Sequence, residues 1–101
     1  MTRESVLQKL QQSVPEFRLN PEWIEESLGF PAINDFARFI CSEAEASQWD
    51  EVRKSILFLE RALIEGDSYV RDLVFECLET LDSCQSIEAL KEYFGTKSLA
   101  M

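Results

Sequence analysis

Apolar residues along this chain recur at helical rather than alternating spacing, most clearly over residues 65–82. Val70, Leu73, Val74, Cys77, Leu78 and Leu81 share one face of a helix there, while Asp72, Glu76 and Glu79 line another. Gly66 is expected to end the preceding helix in the left-handed conformation and Asp67 to cap the next. Upstream, Thr2 can cap a first helix to about Val14, striped by Val6, Leu7, Leu10 and Val14 and closed by Pro15. Asn20-Pro21-Glu22 opens a short second helix with a side-chain acceptor, a preset backbone angle and a first-turn carboxylate. Gly29-Phe30-Pro31 ends it and begins a third over roughly Ile33 to Ala46, with Ile33, Phe36, Ala37, Ile40 and Ala44 on one side.

A fourth helix is expected from a cap at Ser47 or Asp50 to Glu65. Trp49, Val52, Ile56, Leu59 and Leu63 form its stripe, and Leu57 and Ile64 widen it enough to suggest burial against more than one neighbour. Ser86 can cap a sixth helix through about Phe94, ended by Gly95; residues 96–101 carry no clear structural signal. No segment alternates convincingly enough for a strand. The pattern predicts an all-α fold, a compact bundle of five to six helices forming a single domain over 1–101. The tight Gly66-Asp67 link makes helices four and five antiparallel neighbours, with Leu59, Leu63, Val70, Leu73, Val74 and Leu78 at the centre of the fold.

Composition narrows the function classes. The chain of 101 residues is 46% hydrophobic, which suits a folded domain rather than an acidic disordered tail. Nineteen acidic against ten basic residues leave a formal charge of -9, which repels nucleic-acid phosphates and anionic membranes. The acidity either keeps the protein soluble or captures a basic protein. Cys41, Cys77 and Cys84 are odd in number and lack metal-ligand spacing, so neither a disulfide framework nor a zinc site is indicated, and a reducing cytoplasm fits best. No signal-peptide apolar block and no stretch approaching the ~20 apolar residues of a membrane span is present, so a soluble protein is expected.

The chemistry available is sparse. With no histidine, the usual general base is missing and no serine or cysteine has an activating imidazole. Asp72, Glu76 and Glu79 are close enough on a helix to raise the question of metal, but bundle sites draw carboxylates from several helices, usually with histidine. A solvated acidic face is the simpler reading, and no cofactor, metal or enzymatic activity is expected. Gly29, Gly66 and Gly95 are too far apart for a phosphate loop. Cys77 falls within the apolar stripe and reads as core. Trp49 reads as a core-edge residue, whereas Tyr69, at the start of the acidic helix, is a candidate anchor or rim residue.

The stretch Asp67-Ser-Tyr-Val-Arg-Asp-Leu-Val resembles the opening of the second helix in HEAT-like repeats, which implies a HEAT-like antiparallel hairpin. A wider pattern runs from Leu28-Gly-Phe-Pro through Asp35-Phe-Ala-Arg-Phe-Ile and Ile56-Leu-Phe-Leu-Glu to Gly66-Asp-Ser-Tyr-Val-Arg-Asp-Leu-Val and Tyr93-Phe-Gly-Thr-Lys. It resembles small helical bacterial immunity proteins of polymorphic toxin systems. The terminal Gly95-Thr96-Lys97 departs from the glycine-proline-basic ending associated with them. The resemblance implies a cytoplasmic antidote that occludes a cognate toxin, basic and possibly a nuclease; the alternative is a HEAT-like adaptor or regulatory subunit for a nontoxic protein. It transfers no binding residues. From the charge pattern, the expected partner-binding face contains Glu65, Asp67, Tyr69, Asp72, Glu76 and Glu79.

Overall fold

A computed structural model describes residues 1–84. Within them the chain forms five helices: α1 (Val6–Ser13), α2 (Pro21–Glu25), α3 (Gly29–Glu45), α4 (Trp49–Glu65) and α5 (Ser68–Asp82), with no strand among the described residues. The all-α class predicted from the apolar spacing is therefore observed. The expected sixth helix, Ser86 to Phe94, lies outside the described residues.

Two helix starts follow the sequence signals directly. Asn20 Oδ1 accepts from the Glu22 amide at 3.0 Å ahead of Pro21, and Asp67 Oδ1 accepts from the Val70 amide at 3.0 Å. Other boundaries differ. Thr2 does not cap α1: its carbonyl accepts from the Ser5 and Val6 amides in a preceding turn, and the helix begins at Val6. Gly29-Phe30-Pro31 does not separate α2 from α3 but forms the first turn of α3. Proline is accommodated there because a first-turn N–H has no intrahelical partner to lose. Neither Ser47 nor Asp50 caps α4, whose N-cap Gln48 makes no side-chain capping bond; Asp50 instead supplies a first-turn carboxylate.

Chain reversals at α2–α3 and α3–α4 share one device. Ser27 and Ser47 adopt left-handed φ values of 55° and 59°. The Leu28 amide donates to the Trp23 carbonyl at 2.9 Å and the Gln48 amide to the Glu43 carbonyl at 2.8 Å, closing the six-residue loop that usually follows a glycine. Gly66, where the left-handed conformation was expected, is extended at φ -84°, ψ 154°. Its requirement is space: a Cβ there would collide with the Ala62 carbonyl oxygen and lie 2.5 Å from Val70 Cγ1. Absence of a side chain lets α5 start directly against the last turn of α4.

The most extensive helix contact is between α3 and α5, not within the α4–α5 hairpin. These two helices run parallel. Gly29 lies against Tyr69 and Leu73, the Thr80 hydroxyl is 2.9 Å from Asn34 Oδ1, and Cys41 is bonded to Cys84. The centre accordingly differs from the expected one: Leu59, Val70, Leu73 and Val74 are buried, but Leu63 and Leu78 are only partly so. Phe36 of α3 forms the aromatic heart, with ring centroids 5.1 Å from Phe17 and 6.2 Å from Phe58. Gln11 holds the loop carrying Phe17, its Nε2 donating to the Phe17 carbonyl at 2.7 Å and its Oε1 accepting from the Leu19 amide at 2.9 Å. The broad apolar surface expected of α4 is not all covered: Leu57 and Ile64 are exposed.

Candidate protein-binding surface

Helix α5 sorts its residues as its spacing predicts. Val70, Leu73, Val74, Cys77 and Leu81 are buried, and Asp72 and Glu79 are exposed on the far side with Glu76 half-buried between them. At ~100° per residue the three acids fall within ~60° of arc, so their carboxylates form one stripe. None of them makes an ion pair among the described residues. No described residue neutralises their charge, and the stripe lies on the side of α5 away from its buried positions.

The other three expected site residues have structural work. Two guanidinium nitrogens of Arg61, Nε and Nη2, donate to the Glu65 carboxylate, at 3.2 and 3.4 Å, and hold its pKa below the usual carboxylate range. The Glu65 carbonyl also accepts from the Met1 ammonium at 2.8 Å. Asp67 spends its side chain on the α5 cap, and its amide donates to the Met1 carbonyl at 3.1 Å. Tyr69 is half-buried, edge-on to Phe30 at 5.8 Å and with the Arg3 guanidinium 5.3 Å from its ring centre. These residues join the chain start and the α3 start to the α4–α5 corner. The expected face thus divides into an internally engaged corner, Glu65, Asp67 and Tyr69, and an outward stripe, Asp72, Glu76 and Glu79.

Phe75 is the residue missing from the sequence reading. It is 54% exposed and stands ~60° around the helix from Asp72, which places a large apolar ring at the border of the acidic stripe. The signal was present as an aromatic out of phase with the core positions Val74 and Cys77, a placement that burial does not explain.

The cysteines also require correction. Although spacing gave no disulfide framework, Cys41 on α3 and Cys84 beyond α5 are bonded, with Cα atoms 6.0 Å apart across 43 positions of sequence. Parallel packing of α3 and α5 brings them together, a relation that sequence spacing does not express. Cys77 is buried and free, its thiol pushed up to about 12 by desolvation, so it is an inert core residue as its phase predicted. Among the described residues no group of three or more histidine, cysteine, aspartate or glutamate side chains is placed to hold a metal ion. No described helix is long and apolar enough to cross a membrane.

These features define a small all-α protein whose distinctive surface is one acidic helix face bordered by an exposed aromatic. The chain belongs to the family described as Domain of unknown function (DUF7674), whose model matches residues 7–101. Comparison with curated proteins and with solved structures gave no match.

Proposed function

We propose that this protein neutralises a cognate bacterial toxin with a cationic surface by tight noncovalent cover, using the outward face of α5. The observation that carries this reading is the pairing of an acidic stripe, Asp72, Glu76 and Glu79, which makes no ion pair among the described residues, with the exposed ring of Phe75. Acidic residues accelerate encounter with a basic partner, and an aromatic seated in a partner pocket slows release. A nuclease is the fitting target class, because a groove that attracts phosphate attracts a carboxylate stripe for the same electrostatic reason. The resemblance described above supplies the toxin context, while the charge pattern supplies the face.

The role requires no catalysis by the antidote, and the absence of histidine from the chain is compatible with it. Its site of action is the cytoplasm, where the toxin substrate resides. Disulfides are rare there, so the antidote must keep its fold with Cys41 and Cys84 reduced. Co-expression with the toxin encoded beside it tests the proposal. Wild-type protein should restore growth and bind the purified toxin one to one, whereas Phe75→Ala should bind with unchanged association rate and faster dissociation. Failure to bind or protect against any neighbouring toxin, with the protein folded, overturns it.

A further inference from the structure

Two half-buried cysteines meet where the parallel helices α3 and α5 end. Cys41 stands near the C-terminal end of α3 and Cys84 just beyond α5, with Cα atoms 6.0 Å apart. What brings them together is noncovalent. Leu73, Val74 and Leu81 of α5 are buried, the Thr80 hydroxyl is 2.9 Å from Asn34 Oδ1, and the Cys84 amide donates to the Leu81 carbonyl at 2.9 Å. None of these contacts needs the sulfur–sulfur bond, so the packing holds both sulfurs within bonding reach when they are reduced. Their partial exposure admits a small molecule, which burial denies to Cys77. The reduced state also has an acceptor for its proton: Glu45 Oε1 lies 3.7 Å from Cys41 Sγ, within reach of the thiol.

We propose that Cys41 and Cys84 form a reversible redox latch, opened and closed within the folded chain by exchange with a small thiol–disulfide couple of the glutathione type. Closure takes two displacements, each cysteine losing its proton to water before it attacks. The first thiolate attacks oxidised glutathione, forming a mixed disulfide and releasing one glutathione thiolate. The second attacks the protein sulfur of that mixed disulfide, forming the Cys41–Cys84 bond and releasing the other glutathione thiolate. Two electrons thus pass from the cysteine pair to one glutathione disulfide, and two glutathione thiols reverse the sequence. Linkage supplies the magnitude. A cross-link over 43 positions stabilises the fold by restricting the unfolded chain, and the fold must favour the bond by the same factor, on the order of 1,000-fold. Oxidation therefore prolongs the life of the fold while α3 and α5 stay packed in both states. This device is independent of the toxin reading, which uses no cysteine.

Equilibration of the full chain in glutathione buffers of graded ratio, in native buffer and in denaturing urea, tests it. Acid quenching, alkylation and peptide mapping measure the Cys41–Cys84 bond in each. The equilibrium constant for closure should be on the order of 1,000-fold larger in native buffer, and a ratio below ~100 overturns the proposal. Reduced wild type should keep its helical circular dichroism; a reduced chain that unfolds overturns it. Cys41→Ser and Cys84→Ser trap the first displacement: while folded, each should carry glutathione on the remaining cysteine of the pair and leave Cys77 unmodified. Reduction kinetics of wild type separate a latch from a static cross-link. Opening by reduced glutathione should proceed at a rate unchanged by urea below the unfolding transition. A rate that climbs in step with unfolding shows that the bond opens only in the unfolded chain, and overturns the proposal.

Discussion

Gly66→Ala isolates the reason for glycine at the α4–α5 corner. The residue is extended, at φ -84° and ψ 154°, so alanine meets no backbone strain. It meets a packing fault instead, because the new methyl collides with the Ala62 carbonyl oxygen and comes within 2.7 Å of Val70 Cβ. Those are backbone and core atoms, which cannot swing aside as the tip of a long side chain would. Overpacking of this kind costs about 1–3 kcal/mol, and the stiffer unfolded chain returns about 0.4–1 kcal/mol, leaving a net loss of about 1–2 kcal/mol. For a domain of this size that lowers Tm by about 5–15 °C. Urea unfolding should show a lower midpoint at an unchanged slope, the mark of lost stability without a change in the surface exposed on unfolding. Gly66→Asn discriminates the two explanations for the glycine. Asparagine tolerates the left-handed region, so near-wild-type stability for it beside a damaged alanine variant would refute the steric account. Equal damage by both, or worse by asparagine, is expected.

Further outcomes follow from the same structure. Ser47→Gly should raise stability by about 0.5–1 kcal/mol in urea unfolding, since Ser47 holds φ at 59° where an L-residue is strained and glycine is not. Cys84→Ser opens a cross-link spanning 43 positions and should cost about 4 kcal/mol by the chain-entropy argument, read as a lower urea midpoint matched by reduced wild type. Lys54 donates to Glu16 at 2.9 Å, holding the Glu16 carboxyl below its usual 4.5 and the Lys54 ammonium above 10.5. The carboxylate's contribution is full above pH 4.5 and lost as pH falls through its depressed folded value. The ammonium's is full below pH 10.5 and lost as pH rises through its elevated one. Wild type should therefore exceed Glu16→Gln in urea midpoint only between those limits, and by a small margin because the pair is exposed.

What the sequence expressed well was local. Asn20 and Asp67 cap because an acceptor beside a helix start satisfies an amide wherever the helix later packs. The apolar phase of α5 identified its buried side, including Cys77, for the same reason. Relations between distant segments were not expressed. Phase shows which side of α5 is buried but not that α3 covers it, so the centre was misplaced to the α4–α5 hairpin and the Cys41–Cys84 bond was missed. Glycine identity also misled, since left-handed turns fall on Ser27 and Ser47 while Gly66 answers to crowding. The stripe of Asp72, Glu76 and Glu79 follows from the phase of one helix, and its shared outward side is observed. Glu65, Asp67 and Tyr69 are engaged by Arg61, the α5 amides, Arg3 and Phe30, partners that sequence proximity only partly reveals.

Association kinetics of the α5 charge variant test the central claim most directly. Stopped-flow mixing with the proposed cognate toxin should be run for wild type and for Asp72→Lys/Glu76→Lys across ionic strength. Both substitutions lie on the solvent side of α5, so thermal unfolding should be nearly unchanged. The account predicts a variant association rate at least ~10-fold slower at low salt, a flattened salt dependence and loss of protection. If the variant keeps wild-type rate and protection while charge reversal at Glu22, Glu25 and Glu26 on and after α2 abolishes both, the α5 face is not the binding site.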